Sequence, residues 1–316
     1  MSGKNIGGYF ELELRQGEHY HNNCLRLNTA RNCLEYLLMA RQYTMLYIPY
    51  FICSVVLEPL EKLKINYRFY RIDASLDPVF DQELSSGEGL LYVNYFGMKQ
   101  NTVKELSRKY KNLIIDNSQA FFAEPLAGVD TYYSARKFFG VPDGAYLYTN
   151  SVLDMDFQQD VSFDRMRHLL KGVDQGLENG YADFRHNEEL LNHQPIKKIS
   201  NLTEKILMSV DYDRVKNQRL GNFHDLESLL KSQNTFSWKL GQGDVPMVFP
   251  FLSEVEGLKQ KCISEKIYVA TYWPNVLEWC RESDWEYKLS SQCVFLPIDQ
   301  RYGTNEMRKI AHIVRS

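Results

Sequence analysis

Between residues 30 and 150, short apolar runs alternate with amphipathic stretches, and this alternation leaves the chain few architectures. After Thr29, the residues Cys33, Leu34, Leu37 and Leu38 recur at helical spacing and predict a helix to about Arg41. MLYIPYFIC is apolar, β-branched and aromatic, which predicts a buried strand and the loop after it. A helix from about Ser54 to Lys64 leads into the alternating strand pattern of YRFYRID. GLLYVNYFG predicts a third strand, TVKELSRKYKN an amphipathic helix and LIIDN a fourth strand. DTYYSA predicts a short fifth strand, Pro142-Asp143-Gly144 a turn, and AYLYT its hairpin partner. Strands and helices in this alternation imply an α/β fold with a mostly parallel central sheet covered on both faces.

The texture changes after Asn150. From Asp156 to Leu230 the sequence is charged and helical in pattern. From about Gln242 it reads as strand (VPMVFPF), helix (EGLKQKCISEKI), strand (KIYVAT), strand (CVFLPI) and helix (TNEMRKIAHIVR), a small α+β layer. The expected division is a large α/β domain over residues 1–208 and, over 209–316, a bridging helix with a small C-terminal α+β domain.

Charge and composition exclude several classes. The 316 residues carry a net charge of −3, with 37 basic and 40 acidic side chains, so no electrostatic footprint for nucleic acid is present. The longest nearly apolar run, Met45 to Leu57, falls short of the ~20 residues a spanning helix needs and contains Pro49, so no membrane insertion is expected. The first fourteen residues lack the apolar core of a secretion signal. Six scattered cysteines without a C-x-x-C read as reduced thiols, and the expected location is cytoplasmic. His19, His21 and Cys24 are the nearest approach to a metal cluster, but no second ligand pair accompanies them, so a polar loop is expected there and no metal.

In open α/β sheets ligands bind beyond the carboxyl ends of the strands. Those ends bring together Asn94–Gly97, Asp116–Gln119 and Ser134–Lys137, with Ala30-Arg31-Asn32 at the start of the first helix. No G-x-G-x-x-G or P-loop motif supplies a phosphate cradle of the usual kinds. Asp116 closes an apolar run and Lys137 stands among aromatics. Alone, each has an ordinary reading as a turn residue or a snorkelling amine. Together, at consecutive strand ends, they suit pyridoxal 5′-phosphate: a lysine amine to hold the aldehyde and a carboxylate to keep the pyridine nitrogen protonated.

At these residues the sequence resembles the DegT/DnrJ/StrS-type aminotransferases, fold-type I pyridoxal-phosphate enzymes that mostly aminate nucleotide-linked keto sugars. IIDNSQAF resembles that family's D-x-x-Q-A stretch, with Asp116 and Gln119 in the matching places. YYSARKFFGVPDGAY resembles the segment of the Schiff-base lysine, with Lys137 and Gly144 matching. LNTARNCLEYLL resembles the phosphate-binding helix start, VNYFGMKQNTVKELSRKY the aromatic-glycine turn and its helix, and LPIDQRY the C-terminal ending. The resemblance implies Lys137 as catalytic residue and Ala30, Arg31, Asp116, Gln119, Ser134 and Lys137 around the cofactor. It also implies a homodimer, an amino donor such as glutamate, a keto-sugar acceptor and a place in polysaccharide or related biosynthesis. A sugar dehydratase or isomerase on the same scaffold, or a non-catalytic binding relative, are the alternatives.

The sequence departs from the family pattern in places. Where the family carries a phosphate-binding serine, five residues before the lysine, this chain has Tyr132, and its serine is Ser134. Ala30-Arg31 stands for the usual Gly-Thr. The aromatic that usually stacks on the cofactor corresponds to Tyr50, Phe51 or Cys53. Gly180-Tyr181-Ala182-Asp183-Phe184-Arg185 only loosely matches the stretch that usually reaches a partner's phosphate. The basic and aromatic stretches 181–186 and 212–219 are read as solvated helix faces, with nucleotide recognition as their functional alternative.

Overall fold

A computed structural model describes residues 6–315. Eight strands form one sheet: β1 (Leu25–Leu27), β2 (Met45–Pro49), β3 (Asn66–Ile72), β4 (Pro78–Val79), β5 (Glu88–Val93), β6 (Leu113–Asn117), β7 (Asp130–Ser134) and β8 (Ala145–Tyr148). Their order is β1-β8-β7-β6-β5-β2-β3-β4. The five central strands β7, β6, β5, β2 and β3 are parallel, and the antiparallel pairs lie at the two margins. The helices α1 (Ala30–Arg41), α2 (Leu57–Leu63) and α3 (Gln100–Lys109) supply the crossovers that parallel pairing demands. Thr29 caps α1 by accepting a hydrogen bond from Asn32 N, as the sequence pattern predicts.

Beyond β8 the chain runs irregularly to α4 (Arg167–Asp174) and α5 (Tyr181–Leu190), then α6 (Asn201–Met208) and the long α7 (Tyr212–Leu230). A second, two-stranded antiparallel sheet pairs β9 (Val248–Phe251) with β10 (Val294–Pro297). The helices α8 (Leu258–Ser264), α9 (Val276–Trp279), α10 (Trp285–Gln292) and α11 (Thr304–Arg315) complete this part, with α7 packed on α11 and β9. Among the described residues no helix is long and apolar enough to cross a membrane.

Two local expectations are corrected. KIYVAT is not a strand: only Ala270 forms a bridge, to Phe295, on the edge of β10 that β9 leaves open. The His19–Cys24 stretch is a loop, as expected, but its two histidines are not solvated. His19 and His21 are 6% and 2% exposed, and Leu25–Leu27 pairs with β8 as a strand. His21 Nε2 donates to Phe121 O at 2.8 Å, and His19 Nδ1 meets the Tyr146 hydroxyl at 2.9 Å.

Burial pulls the His21 pKa down to about 4, with His19 adding to the fall and the Phe121 carbonyl bond opposing it. The unfolded imidazole titrates near 6.5. The neutral folded ring therefore contributes stability that is full above that value and lost as pH falls towards 4. Between pH 7 and 4 the chain is expected to lose about 3 kcal/mol more than a His21→Gln variant. Urea unfolding of both proteins across that range measures the difference.

Candidate active site at the carboxyl edge of the sheet

The parallel register decides which side chains meet. Val93 of β5 aligns with Asp116 of β6, and Asp116 with Tyr132 of β7. The strand ends therefore deliver Asn94, Asp116 and Ser134 to the same edge, each followed by a tight turn. After β5 the chain reverses through Tyr95–Gly97. Gly97 has φ +72°, and a Cβ there would stand 2.7 Å from Val245 O and 3.2 Å from Gln119 O. Only glycine tolerates both that backbone and that approach.

Asp116 is 7% exposed, and its Oδ1 accepts from Ser118 N at 2.7 Å. Burial raises the carboxyl pKa; the Ser118 bonds, the Tyr132 phenol and the charge of Lys137 oppose that rise. Gln119 is 2% exposed. Its Oε1 accepts from Phe96 N at 3.2 Å, while its Nε2 is buried with no partner among the described residues. A buried amide donor left without an acceptor is costly, and such a group commonly faces a ligand.

Lys137 ends the single turn Ala135–Lys137 that follows β7. The residue keeps exposure to solvent while protein crowds about its amine. That crowding lowers the amine pKa; Cys53 and Asp116 oppose the fall and Arg136 adds to it. An amine so placed is neutral more often than a free lysine, which is what a nucleophile requires. Ser134 is buried, and its side chain makes no capping hydrogen bond to the turn that follows it.

The start of α1 is tied directly to this turn. Gly144 N donates to Asn28 O at 2.7 Å, and Gly144 O accepts from Ala135 N at 3.0 Å. Gly144 sits at φ +113°, and a Cβ would press on Ile199 and Thr203 at 3.0 Å. The amide N–H groups of Ala30 and Arg31, in the first turn of α1, have no intrahelical acceptor and suit an anion. The Arg31 guanidinium does not join them: it donates to Glu58 Oε2 at 2.5 Å and Asn192 Oδ1 at 2.9 Å. Arg136 pairs with Glu188 of α5. Burial brings the Arg136 pKa down to about 10, with the like charges of Arg31 and Arg165 adding to the fall and Asp143 opposing it.

Of Tyr50, Phe51 and Cys53, Cys53 lies near enough to oppose the fall of the lysine pKa. Phe51 is fully buried against Tyr95 and Trp273, and Tyr50 stacks on Phe69 at 4.6 Å beneath the Arg71 guanidinium. The second sheet reaches the site from its own side. Arg219 of α7 lies 4.6 Å from the Phe138 ring centroid and donates to Gln300 Oε1 and Met247 O. Gln300 Nε2 donates to Phe138 O at 2.8 Å. Stretch 212–219 is solvated at Asp213, Arg214 and Asn217, as expected, but Arg219 turns inward and is 2% exposed. Tyr181 and Arg185 do border solvent, in a cleft of about 250 Å³ that also holds Arg31 and Glu188. Sequence reasoning missed Tyr132, Arg219 and Gln300 as neighbours of the site. Only the departure of Tyr132 from a serine could have marked the first.

No protein-family model matches the sequence, and no curated protein matches it. Solved structures do match in fold. An aminotransferase described as DegT DnrJ EryC1 StrS from Brucella abortus superposes at a TM-score of 0.59 with 16% identity, over 95% of this chain and 86% of that one. The sugar aminotransferase CalS13 from Micromonospora echinospora gives 0.62 with 11% identity, over 92% and 86%. NtdA from Bacillus subtilis, solved with bound cofactor PMP, gives 0.63 with 14% identity, over 93% and 73%.

Proposed function

We propose that this chain, which shares its fold with sugar aminotransferases, is itself a pyridoxal-phosphate-dependent aminotransferase. It would take nitrogen from a donor such as glutamate and place it on a nucleotide-linked keto sugar, in polysaccharide or related biosynthesis. The observation that carries this reading is the convergence of Lys137, its amine held towards neutrality, with the buried Asp116 at neighbouring strand ends.

The residues fit the cofactor. Gln119 Nε2 is an unpartnered buried donor beside Asp116, and the first turn of α1, tied to the Lys137 turn through Gly144, offers N–H groups to a phosphate. The Ser134 hydroxyl can add a donor, whereas Arg31 and Arg136 are neutralised by Glu58 and Glu188 and contribute only at longer range. When bound, pyridoxal phosphate supplies an electron sink for the carbon that exchanges its amine. Asp116 keeps a negative charge where the ring nitrogen needs a proton. Lys137 Nζ takes the proton from the donor carbon and returns it, a task suited to an amine whose pKa lies below the ordinary lysine value.

A homodimer is part of the proposal. Val161, Phe163, Leu170, Val173, Leu177, Tyr181 and Phe184 are all exposed on the stretch around α4 and α5, an apolar surface a second copy would cover. Six free cysteines suit a reducing compartment such as the cytoplasm.

The test supplies the purified protein with pyridoxal phosphate, 15N-glutamate and a panel of keto nucleotide sugars. Labelled nitrogen in a sugar product is expected. An unlabelled, dehydrated product would mean a dehydratase. Failure of borohydride to fix the cofactor onto Lys137 would remove the proposal altogether.

A further inference from the structure

The hydroxyl of Tyr132 has a role that neither the fold nor the strand-end pattern requires. The β6–β7 register aligns Tyr132 with Asp116, and aligned residues of parallel strands project to the same face. Alternation along β7 puts Tyr132 on the face of Ser134 and sends Tyr133 to the other. There the Tyr133 hydroxyl donates to Ala123 O and its ring lies 4.0 Å from His21. Tyr132 is 2% exposed, one of the largest fully buried side chains. A buried phenol needs an acceptor. Across the two strands it faces the Asp116 carboxylate, whose charge and hydrogen-bonding capacity add to the effect of burial in raising the phenol pKa. That carboxylate is otherwise stabilised by the Ser118 contacts and the charge of Lys137.

We propose that Tyr132 is a positioning residue for Asp116: its phenol donates to the carboxylate and keeps the proton shared with a bound cofactor on the cofactor's ring nitrogen. This rests on the pyridoxal-phosphate reading above and extends it to a residue that does not touch the substrate. A hydrogen bond from a neutral donor stabilises a carboxylate over its acid and makes it a weaker base. Buried without that bond, Asp116 would take the proton from the pyridine nitrogen and leave both groups neutral, and the ring would be a poorer electron sink. Serine on the same strand position is too short to span to the neighbouring strand's carboxylate; tyrosine is not. The residue that departs from the resembling family's serine thus takes up a different task.

The experiment binds pyridoxal phosphate labelled with 15N in the ring and reads the nitrogen shift and the binding constant. In the unsubstituted protein the shift of a protonated ring is expected. Tyr132→Phe, which keeps the packing, should move the shift towards neutral pyridine and weaken binding on the order of tenfold. In an Asp116→Asn background the same substitution should change nothing further. Installing 3-fluorotyrosine at 132, a stronger donor of the same shape, should hold the ring proton to higher pH, and it tests the idea even if the phenylalanine variant folds poorly. A fixed cofactor on Lys137 with an unchanged shift in both variants overturns the role of Tyr132 and leaves the cofactor reading standing. No fixed cofactor in the unsubstituted protein overturns both.

Discussion

Lys137→Ala is expected to abolish covalent capture of pyridoxal phosphate and to lower amino transfer by about 10⁴-fold. The two losses have one cause. The amine at the end of the β7 turn is the group that both holds the aldehyde and moves the proton, and nothing beside it can substitute. Arg136 is paired with Glu188, and a guanidinium is too weak a base for proton transfer at neutral pH. Folding should survive. The ammonium is disfavoured by its surroundings, so its removal relieves desolvation, and the Asp116 carboxylate, which loses that charge, keeps its Ser118 bond. The discriminating measurement is therefore borohydride fixation followed by peptide mass, alongside urea unfolding. Loss of the label with an unchanged unfolding midpoint is the expected pair of results. A label retained elsewhere would move the catalytic amine to another lysine.

Phe121→Ala should be the most damaging single truncation in the large sheet's core, at about 3–5 kcal/mol. Phe121 has no exposed surface. Its ring meets Tyr20, His21, Phe122, Phe138, Phe139, Tyr146 and Tyr212, with centroids 4.8 to 6.0 Å away. So many rigid rings cannot collapse into the space, and the cavity term stays large. The effect should also reach the site. Phe121 O anchors His21, and Phe138 and Phe139 directly follow Lys137. A lower urea midpoint together with weaker cofactor binding is expected. Phe121→Leu, which retains most of the volume, should recover the larger part of both. If the alanine variant unfolds at the same denaturant concentration as the parent, the cluster does not have this structural weight.

Several elements were legible for local reasons. The start of α1 follows from Thr29 and the apolar spacing behind it, both contained within one turn of helix. The β7–β8 hairpin follows from Pro142-Asp143-Gly144, because Gly144 occupies a backbone conformation other residues avoid. The misread elements depended on distant partners. KIYVAT has strand composition, but composition does not set pairing, and only Ala270 meets the open edge of β10, at Phe295. His19 and His21 are polar in type and yet buried, because tyrosines from β8 bond a nitrogen of each ring and a carbonyl from Phe121, a hundred residues away, takes the second nitrogen of His21.

By itself the sequence determined the alternation that makes a parallel sheet, and it placed Asp116, Ser134 and Lys137 at strand ends. That much depends on periodicity and turn chemistry, which act over a few residues. The tertiary structure alone decided which charges remain available. Arg31 was within reach of a phosphate in sequence terms, but Glu58 and Asn192, brought in by α2 and the end of α5, take its guanidinium. It also decided that Tyr132 faces Asp116, since strand register is set by whole-sheet packing. And it set Arg219 and Gln300 against Phe138, more than eighty residues away in the chain. Pairings of this kind follow from where the chain returns in space, and no local pattern encodes that.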